Sequence, residues 1–284
     1  MSEARLTVGM PVYNAGKYLA EGIEAILASE YGDFELLISD NCSTDSTLDI
    51  CASFRDPRIR VHRNETNLGG VHNYNQVVKL ARGELFKWQA YDDLCAPSML
   101  GKCVDTLDHN PDAVLAYPRT VLINGAGEKT KSHRDYLDLR QRAPWKRVAQ
   151  YARKISLVNP MYGVIRTAAL RRTGVLRTYV SSDYTMLAEL AALGEFCEVP
   201  EELFFRRVHE DSTALAPQRK LADLARWWNP SGPARATAPR LRMQAETARA
   251  LARIDPLSAV AWTLNWNARK TKDRLSRLKR RVLR

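Results

Sequence analysis

The sequence contains no apolar run approaching the ~20 residues that a membrane-spanning helix needs. Met1 and the residues up to Ala4 lead almost directly into a predicted strand, so we expect no signal peptide. The five cysteines are odd in number and include no C-x-x-C pair, which argues against a disulfide framework and against a zinc site. These absences lead us to expect a cytoplasmic protein in a reducing compartment.

Acidic residues are scarce at the C-terminal end. The chain has 284 residues and a formal net charge of +11, and 266–284 contains nine Lys or Arg against one acid (Asp273), a net charge of +8. No aromatic residue follows Trp266, whereas nucleic-acid binding favours a basic face with aromatic side chains that stack on bases. We therefore expect no nucleic-acid partner and predict that this tail meets an anionic membrane surface.

Strand and helix patterns alternate through the first hundred residues. Short apolar runs predict four strands, at 6–12, 34–39, 59–61 and 85–89. Apolar residues at helical spacing predict the intervening helices, at 17–29, 46–54 and 70–81. Alternation at this spacing predicts an α/β fold, with a mostly parallel sheet and helices on both faces.

The pattern after residue 110 is more mixed. It predicts short strands at 113–117, 120–123, 161–165, 196–199 and 203–208. It also predicts helices at 140–155 and 182–193, the second of which stops at Gly194. The stretch 229–233 is rich in proline and has the composition of a linker, so we expect a main domain over 1–215 and a helical extension over 216–284.

The last predicted helix has one broad apolar face, formed by Leu257, Val260, Ala261, Leu264, Ala268, Leu275, Leu278 and Val282. Lys and Arg occupy its other face, which is how a helix that lies in a membrane interface is built. The alternative is a helix that packs on the main domain through the same apolar face. Each basic residue near an anionic surface contributes about 1 kcal/mol, and this charge favours the membrane.

Polar side chains follow each predicted strand of the N-terminal half, at Tyr13-Asn14, Asp40-Asn41, His62-Arg63-Asn64 and Asp92-Asp93. Ligands of open α/β sheets bind outside the carboxyl ends of the strands. Polar residues also begin ordinary loops, but their recurrence at successive strand ends predicts a single site at this edge.

Asp92 and Asp93 directly follow a buried strand. Two adjacent carboxylates repel one another, and a cation between them relieves this repulsion. Their oxygens are the ligands that a hard divalent cation such as Mg²⁺ or Mn²⁺ prefers. A solvated carboxylate pair is the alternative, and the position at the strand end favours the metal.

The ordered series of motifs resembles glycosyltransferase family two over about residues 5 to 213. The motifs are Pro11-Val12-Tyr13-Asn14, Asp40-Asn41-Cys42-Ser43-Thr44-Asp45-Ser46-Thr47, Asn67-Leu68-Gly69-Gly70, Ala81-Arg82-Gly83-Glu84 and Tyr91-Asp92-Asp93. The resemblance implies an inverting, nucleotide-sugar-dependent enzyme with the GT-A fold, most similar to bacterial enzymes that decorate cell-surface glycans or glycolipids. Residues 1–215 would then form the catalytic domain, with a donor-binding half at about 1–110 and an acceptor-side half at about 111–215.

The resemblance also implies roles for single residues. Asp40 accepts a hydrogen bond from the base, as a carboxylate can from an imide N–H such as that of uracil, and a UDP-sugar is therefore favoured. Asp93 is the metal ligand, with Asp92 nearer the ribose or the sugar. The donor-binding set is Pro11, Tyr13, Asn14, Asp40, Asn67, Asn75, Asp92 and Arg207. Pro11 has the alternative of merely ending a strand.

The sequence departs from the family pattern at Ala90. Many members carry D-x-D-D where this chain has Ala90-Tyr91-Asp92-Asp93. Because the first acid is missing, a metal here is bound weakly or needs another ligand. The segment Arg206-Arg207-Val208-His209 resembles the R-x-H motif of the family. His209 is the candidate for that ligand, with a surface histidine beside Glu210-Asp211 as the alternative. The arginines of the segment, with Arg207 in the donor-binding set, would offset the charge of the diphosphate.

Asp183 matches the family's general base at the head of a late helix. Its alternative is an acid favoured at a helix N-terminus by the helix dipole. A general base needs a carboxylate fixed near the attacking hydroxyl, and the resemblance favours that role.

Three functions fit these residues. The first is transfer of a sugar from a nucleoside-diphosphate sugar to a hydroxyl of a cell-surface glycan or lipid-linked acceptor. The second is a sugar-nucleotide pyrophosphorylase, although Tyr13-Asn14-Ala15-Gly16 is not the basic glycine-rich loop that such an enzyme needs. The third is a nucleotide-sugar-binding protein without activity, because the first acid of the metal motif is absent.

Overall fold

The computed structural model describes residues 4–209 and 238–268. These residues form a mixed sheet flanked by helices, which confirms the predicted α/β class. The strands are β1 (Leu6–Val12), β2 (Phe34–Asp40), β3 (Ile59–Arg63), β4 (Leu85–Trp88), β5 (Leu94–Cys95), β6 (Ala113–Ile123), β7 (Lys129–His133), β8 (Val164–Arg166) and β9 (Glu195–Arg207). Their order in the sheet is β3-β2-β1-β4-β8-β6-β9-β5, and β7 pairs with β6.

The helices lie mostly where the apolar spacing predicts them. They are α1 (Leu19–Leu27), α2 (Thr47–Ser53), α3 (Gly70–Leu80), α4 (Met99–Asp108), α5 (Pro144–Lys154), α6 (Thr167–Arg171), α7 (Ser182–Leu193) and α8 (Pro239–Ala252). A further helix, α9, covers 256–268 within the described part of the chain. The predicted stripe of α1 is fully buried at Leu19, Ile23 and Ile26, and removal of these side chains from water stabilises the helix on the sheet.

In the parallel half of the sheet, the strands β1, β2 and β3 end at the same level. Val12 at the end of β1 lies opposite Asp40 of β2, and Asp40 lies opposite Arg63 of β3. The polar residues that follow β1, β2 and β3 therefore meet at one edge, as the sequence predicts for parallel strands.

Two predicted pairs of short strands are wrong, because each pair is one continuous strand. β6 runs through Pro118, and β9 runs through Pro200. The partner of Pro118 is Val199, whereas the next pair is Arg119 with Glu202, so the extra residues of β9 form a bulge. A proline cannot donate to the ladder and is tolerated at such an irregularity.

Two further corrections concern short elements. β7 (Lys129–His133) was not predicted because it is an exposed strand with no apolar residue. The predicted strand 161–165 begins instead with a 3₁₀ turn, Asn159–Tyr162, and only Val164–Arg166 is a strand. The chain turns at 125–127 between β6 and β7, and Gly127 adopts a positive φ of 84° there, which a glycine does without strain.

The extension packs on the main domain through α7. Thr247 of α8 shares a 2.6 Å hydrogen bond with Thr185 of α7. Trp262 of α9 is 1% exposed and belongs to the same apolar core as the sheet. No helix among 4–209 and 238–268 is both long and apolar enough to span a bilayer. The predicted domain boundary near 215 and the linker 229–233 lie outside the described residues.

Candidate functional site

Four asparagines join the loops at the carboxyl edge of the parallel strands. The Asn41 side chain donates to Oδ1 of Asn67 at 2.8 Å and accepts from Nδ2 of Asn64 at 3.1 Å. Asn64 also donates to Asn73 at 3.0 Å, and the buried Asn73 amide donates to the carbonyls of Val12 and Ser39. The network fixes Asn67 at the predicted donor edge. The sequence does not predict a role for Asn73, because a polar residue inside a helix gives no local signal of burial.

The loop after β1 is held by the loop after β2. Asn14 adopts a left-handed backbone conformation with φ of 47°, which asparagine tolerates. Its carbonyl Oδ1 accepts from the backbone of Thr44 at 2.9 Å, and its own backbone N–H donates to Oγ of Ser43 at 2.9 Å. Tyr13 is 45% exposed beside it, whereas Pro11 is buried within β1.

Asp40 is fully buried at the end of β2. Its two carboxylate oxygens each lie 3.2 Å from the backbone nitrogen of Ser43. The more exposed Arg63 places Nε 3.5 Å from Oδ2 of Asp40. The carboxylate is therefore held at the predicted base-binding edge by one backbone donor and one cation.

Asn75 lies on α3 and binds a loop of the acceptor-side half. Its Nδ2 donates to the carbonyl of Leu176 at 2.8 Å, and its Oδ1 accepts from the Leu176 backbone at 3.1 Å. The nitrogen and the oxygen of the Asn75 amide therefore both bind the 174–177 loop. The predicted role of Asn75 in the donor site has to be compatible with these two hydrogen bonds.

The aspartate pair and His209 come together as the sequence predicts. Nε2 of His209 lies 2.9 Å from Oδ2 of Asp92. Oδ1 of the buried Asp93 accepts the backbone N–H of Arg207 at 2.8 Å. The link between β9 and the loop after β4 therefore puts all three candidate metal-site residues in one place.

These three side chains suit a hard cation whose coordination shell is completed by other ligands. Burial, followed by the charge of Asp92, raises the pKa of Asp93 well above its usual range. A cation between the two carboxylates would relieve that repulsion, and Mg²⁺ commonly takes only one or two carboxylates. Among residues 4–209 and 238–268, no three His, Cys, Asp or Glu side chains form a group that could hold a metal by itself. Ala90 is buried beside the pair.

Arg207 is buried, and the N–H groups of its guanidinium donate to acceptors of the protein. Nε donates to the carbonyl of Asp92 at 2.8 Å, Nη1 to the carbonyl of Gly125 at 3.1 Å, and Nη2 to Glu21 at 2.7 Å. Its side chain is 1% exposed. These bonds join β9 to α1 and to the turn after β6, so Arg207 binds groups of the protein in this structure, and its donor-binding role stays a prediction.

Arg206 is the cation that links the two halves of the site. Burial acts to lower its pKa, but Tyr162, Asp93, Asp183 and Asp92 together raise it. Reciprocally, its charge lowers the pKa of Asp93 and of Asp183. One guanidinium therefore lies within electrostatic reach of both the aspartate pair and the predicted base.

Asp183 lies in the first turn of α7, next to Ser181, which has a left-handed φ of 68°. Burial raises the pKa of Asp183 to about 6, although the N–H of Tyr184 and the charge of Arg206 act in the opposite direction. The carboxylate is therefore ionised at neutral pH and is basic enough to accept a proton, as general bases are.

An unpredicted pair of residues supports Arg206 from the acceptor side. Oδ1 of Asn159 accepts from Nη1 of Arg206 at 2.7 Å, and Nδ2 of Asn159 lies 3.4 Å from Oδ2 of Asp135. Asp135 is buried, and His133 lies 3.3 Å from its other oxygen. The sequence gave no local sign that Asp135 is buried.

The curated relatives share part of their length with this chain. The chain is 30% identical over 188 residues to the uncharacterized protein y4gI of Sinorhizobium fredii, which covers 64% of this chain and 20% of y4gI. It is 36% identical over 102 residues to glycosyltransferase GlyG of Streptococcus pneumoniae, which covers 35% of this chain and 34% of GlyG. The chain therefore spans a minor part of the length of both relatives.

Solved structures have a similar fold at low sequence identity. Staphylococcus aureus TarS gives a TM-score of 0.65 at 18% identity, over 93% of this chain and 43% of TarS. TarS 1-349 in complex with UDP-GlcNAc gives 0.64 at 18% identity, over 90% and 69%. Mannosyltransferase PcManGT of Pyrobaculum calidifontis, in complex with GDP-Man and Mn²⁺, gives 0.57 at 18% identity, over 90% and 73%. These likenesses confirm the predicted GT-A fold.

A family model described as glycosyl transferase family 2 matches residues 7–180, which is more than half of the chain. The match includes the strand-end motifs at Asn14, Asp40 and Asn67 and the pair Asp92-Asp93. The chain belongs to glycosyl transferase family 2.

Proposed function

We propose that the protein is an inverting glycosyltransferase that moves a sugar from a nucleoside-diphosphate sugar, with a UDP-sugar favoured, to a hydroxyl of a cell-surface glycan or a lipid-linked acceptor. One observation carries the proposal. The half-buried Arg206 donates from Nη1 to Asn159 on the acceptor side at 2.7 Å, and its charge acts on Asp93 at the donor edge and on Asp183. A cation in this position can offset the charge that develops on a departing diphosphate.

The donor binds at the carboxyl edge of β1, β2 and β4. Tyr13 and Asn14 border the nucleotide, Asp40 receives the base, and Asn67 and Asn75 line the donor site. The complexes of TarS with UDP-GlcNAc and of PcManGT with GDP-Man support a nucleotide sugar as the donor.

Asp93 and His209 would hold Mg²⁺ or Mn²⁺, with Asp92 nearer the ribose or the sugar. The Mn²⁺ in the PcManGT complex supports the use of a divalent cation. The cation would supply positive charge to the diphosphate. We assign the cation that faces the diphosphate to Arg206 instead of Arg207, because the donors of Arg207 are used on Glu21 and on backbone carbonyls.

Asp183 removes the proton from the acceptor hydroxyl. The hydroxyl oxygen then forms a bond to the anomeric carbon as the bond from that carbon to the diphosphate oxygen breaks, and the configuration inverts. The electron pair leaves on the diphosphate, whose developing charge Arg206 offsets. Asn159 holds the guanidinium in place during this step.

The pyrophosphorylase alternative is disfavoured by the loop after β1. A phosphate-binding loop needs free backbone N–H groups. Here the N–H groups of Asn14, Ala15 and Gly16 donate to Ser43, Thr47 and Asp45. The alternative of an inactive nucleotide-sugar-binding protein rests on the missing acid at Ala90. An assay of transfer or donor hydrolysis distinguishes it from a glycosyltransferase.

The test is transfer or donor hydrolysis with a panel of nucleotide sugars, with and without EDTA, together with the anomeric configuration of the product. We expect turnover of a UDP-sugar, loss of turnover with EDTA, and an inverted product. Binding of nucleotide sugars without turnover under any metal condition would leave the binding-protein function. A retained configuration would contradict the role of Asp183.

A further inference from the structure

Helix α9 presents an apolar surface to solvent. Leu257, Val260 and Leu264 are 62%, 56% and 65% exposed, and their spacing puts them on one side of the helix. The stretch 256–268 contains no Asp, Glu, Lys or Arg, although charged residues make up 26% of the chain. We call the side formed by Leu257, Val260 and Leu264 the outer face of α9.

The opposite side of α9 is the one that packs on the protein. Trp262 is 1% exposed, and its ring stacks with that of Tyr151 at 6.1 Å between centroids. Ala261 is also buried. The predicted single apolar face of this helix is thus divided: Ala261 faces the core, whereas Leu257, Val260 and Leu264 do not. Packing on the main domain and contact with a membrane are therefore compatible.

The charge of the following segment indicates what covers the outer face. Residues 269–284 lie outside the described structure, but their sequence contains nine Lys or Arg and one acid. An apolar helix face joined to a basic segment matches the chemistry of an anionic bilayer, where apolar side chains enter the interface and cations meet the headgroups. The outer face lies on a helix that does not qualify as a membrane span, so contact along the surface is the fitting geometry.

A second copy of the chain is a poorer occupant. A symmetric dimer through the outer face would be isologous and would bring the two outer faces together. Each copy carries a net charge of +8 in residues 269–284, and these like charges would oppose association most strongly if the two helices paired in parallel.

The packed side of α9 lies near the residue that follows the predicted base. The ring of Trp266 on α9 lies 6.3 Å from the ring of Tyr184, edge to face, and Tyr184 directly follows Asp183. Thr185 in the same turn of α7 is bonded to Thr247 of α8. A bilayer on the outer face would therefore be separated from this turn of α7 by the ~10 Å diameter of α9.

We propose that Leu257, Val260 and Leu264 form a docking surface for an anionic lipid bilayer, which brings a lipid-linked acceptor to Asp183. The choice of acceptor rests on the proposed function, whereas the docking itself does not.

The experiment measures sedimentation of the full-length protein with phosphatidylcholine vesicles that contain or lack phosphatidylglycerol. The variant Leu257→Ala/Val260→Ala/Leu264→Ala keeps the net charge and the helix propensity of α9. Val61→Ala, at an exposed aliphatic residue of the edge strand β3, is the matched control. We expect binding of the intact protein to the anionic vesicles alone, at least ~10-fold weaker binding of the triple variant, and no change in the control. Added salt should weaken binding further.

Three results would overturn the docking surface: no binding of the intact protein, unchanged binding of the triple variant, or a dimer in light scattering that the triple variant loses. The last result would assign the outer face to a second copy. Donor hydrolysis in solution without vesicles separates this inference from the proposed function. A protein that binds vesicles through α9 but turns over no nucleotide sugar retains the docking surface and loses the glycosyltransferase assignment.

Discussion

Arg206 on β9 donates a 2.7 Å hydrogen bond from Nη1 to Oδ1 of Asn159 in the turn before β8. Asn159 in turn lies 3.4 Å from the buried carboxylate of Asp135. The acceptor-side half of the protein thereby holds the side chain whose charge acts on Asp93 and on Asp183.

Replacing Arg206 with Met should lower the rate of transfer by ~10²-fold or more, because positioned charges that stabilise a leaving group contribute about that much. Asn159→Ala should give a smaller loss in the same direction, since the guanidinium keeps its charge but loses one acceptor. The measurement is kcat with saturating donor, with thermal unfolding as a check on folding. A folded Arg206→Met enzyme with unchanged kcat would show that the cation has no part in the reaction.

Asp183→Asn should bind the donor normally and lose ~10² to 10⁴-fold in transfer, which is the range that a positioned general base contributes. Asp105→Asn is the matched control, because Asp105 is an exposed acid on α4. Isothermal titration with the nucleotide sugar gives the binding, and product formation gives the rate. Near wild-type turnover in the Asp183 variant would place the base at another residue.

The rate should rise with pH through about pH 6, because burial raises the pKa of Asp183 to about 6 and only the ionised form accepts a proton. Below that pH, kcat/KM should fall about tenfold per unit. Arg206 lowers this pKa, so the midpoint should move to higher pH in Arg206→Met. An acidic limb that is unchanged in a residually active Asp183→Asn enzyme would belong to another group.

The same raised pKa predicts a stability effect. A carboxyl whose pKa is higher in the folded protein than its model value of 3.8 is charged at a cost above about pH 6. Asp183→Asn should therefore raise Tm at about pH 8, where the wild-type carboxylate is ionised, and should have little effect well below the unfolded pKa, where it is protonated in both states. Thermal unfolding at the two pH values provides the measurement. A Tm gain that is equal at both pH values would indicate packing instead of charge.

Asp93→Ala should weaken Mn²⁺-dependent donor binding more than Asp92→Ala, because Asp93 is the predicted metal ligand and Asp92 is hydrogen-bonded to His209. Asp93→Asn is the control for structure, since its amide oxygen can still accept the N–H of Arg207. Titration of the nucleotide sugar with and without Mn²⁺ measures the effect. Equal affinities for wild type and Asp93→Ala would contradict the assignment.

The parallel half of the fold could be predicted because its signals are local in the sequence. Short apolar runs marked β1 to β4, and the polar residues at Asn14, Asp40 and Asp92 marked the edge where parallel strands end. β6 and β9 were each read as two strands, because Pro118 and Pro200 look like breaks in a single sequence. Only the pairing of the two strands shows that both prolines fall at one bulge.

The sequence by itself determined the family, the sheet class, the acidic pair Asp92-Asp93 and the helix that begins beside Asp183, because each depends on residue type and spacing along the chain. The tertiary structure decided the different surroundings of the two adjacent arginines. Successive residues of β9 point to opposite sides of the sheet, so Arg207 meets Glu21 and Arg206 meets Asn159 and the site carboxylates. It also decided that the apolar residues of α9 are shared between the core and the surface, since burial depends on the packing of α9 against α7 and α8.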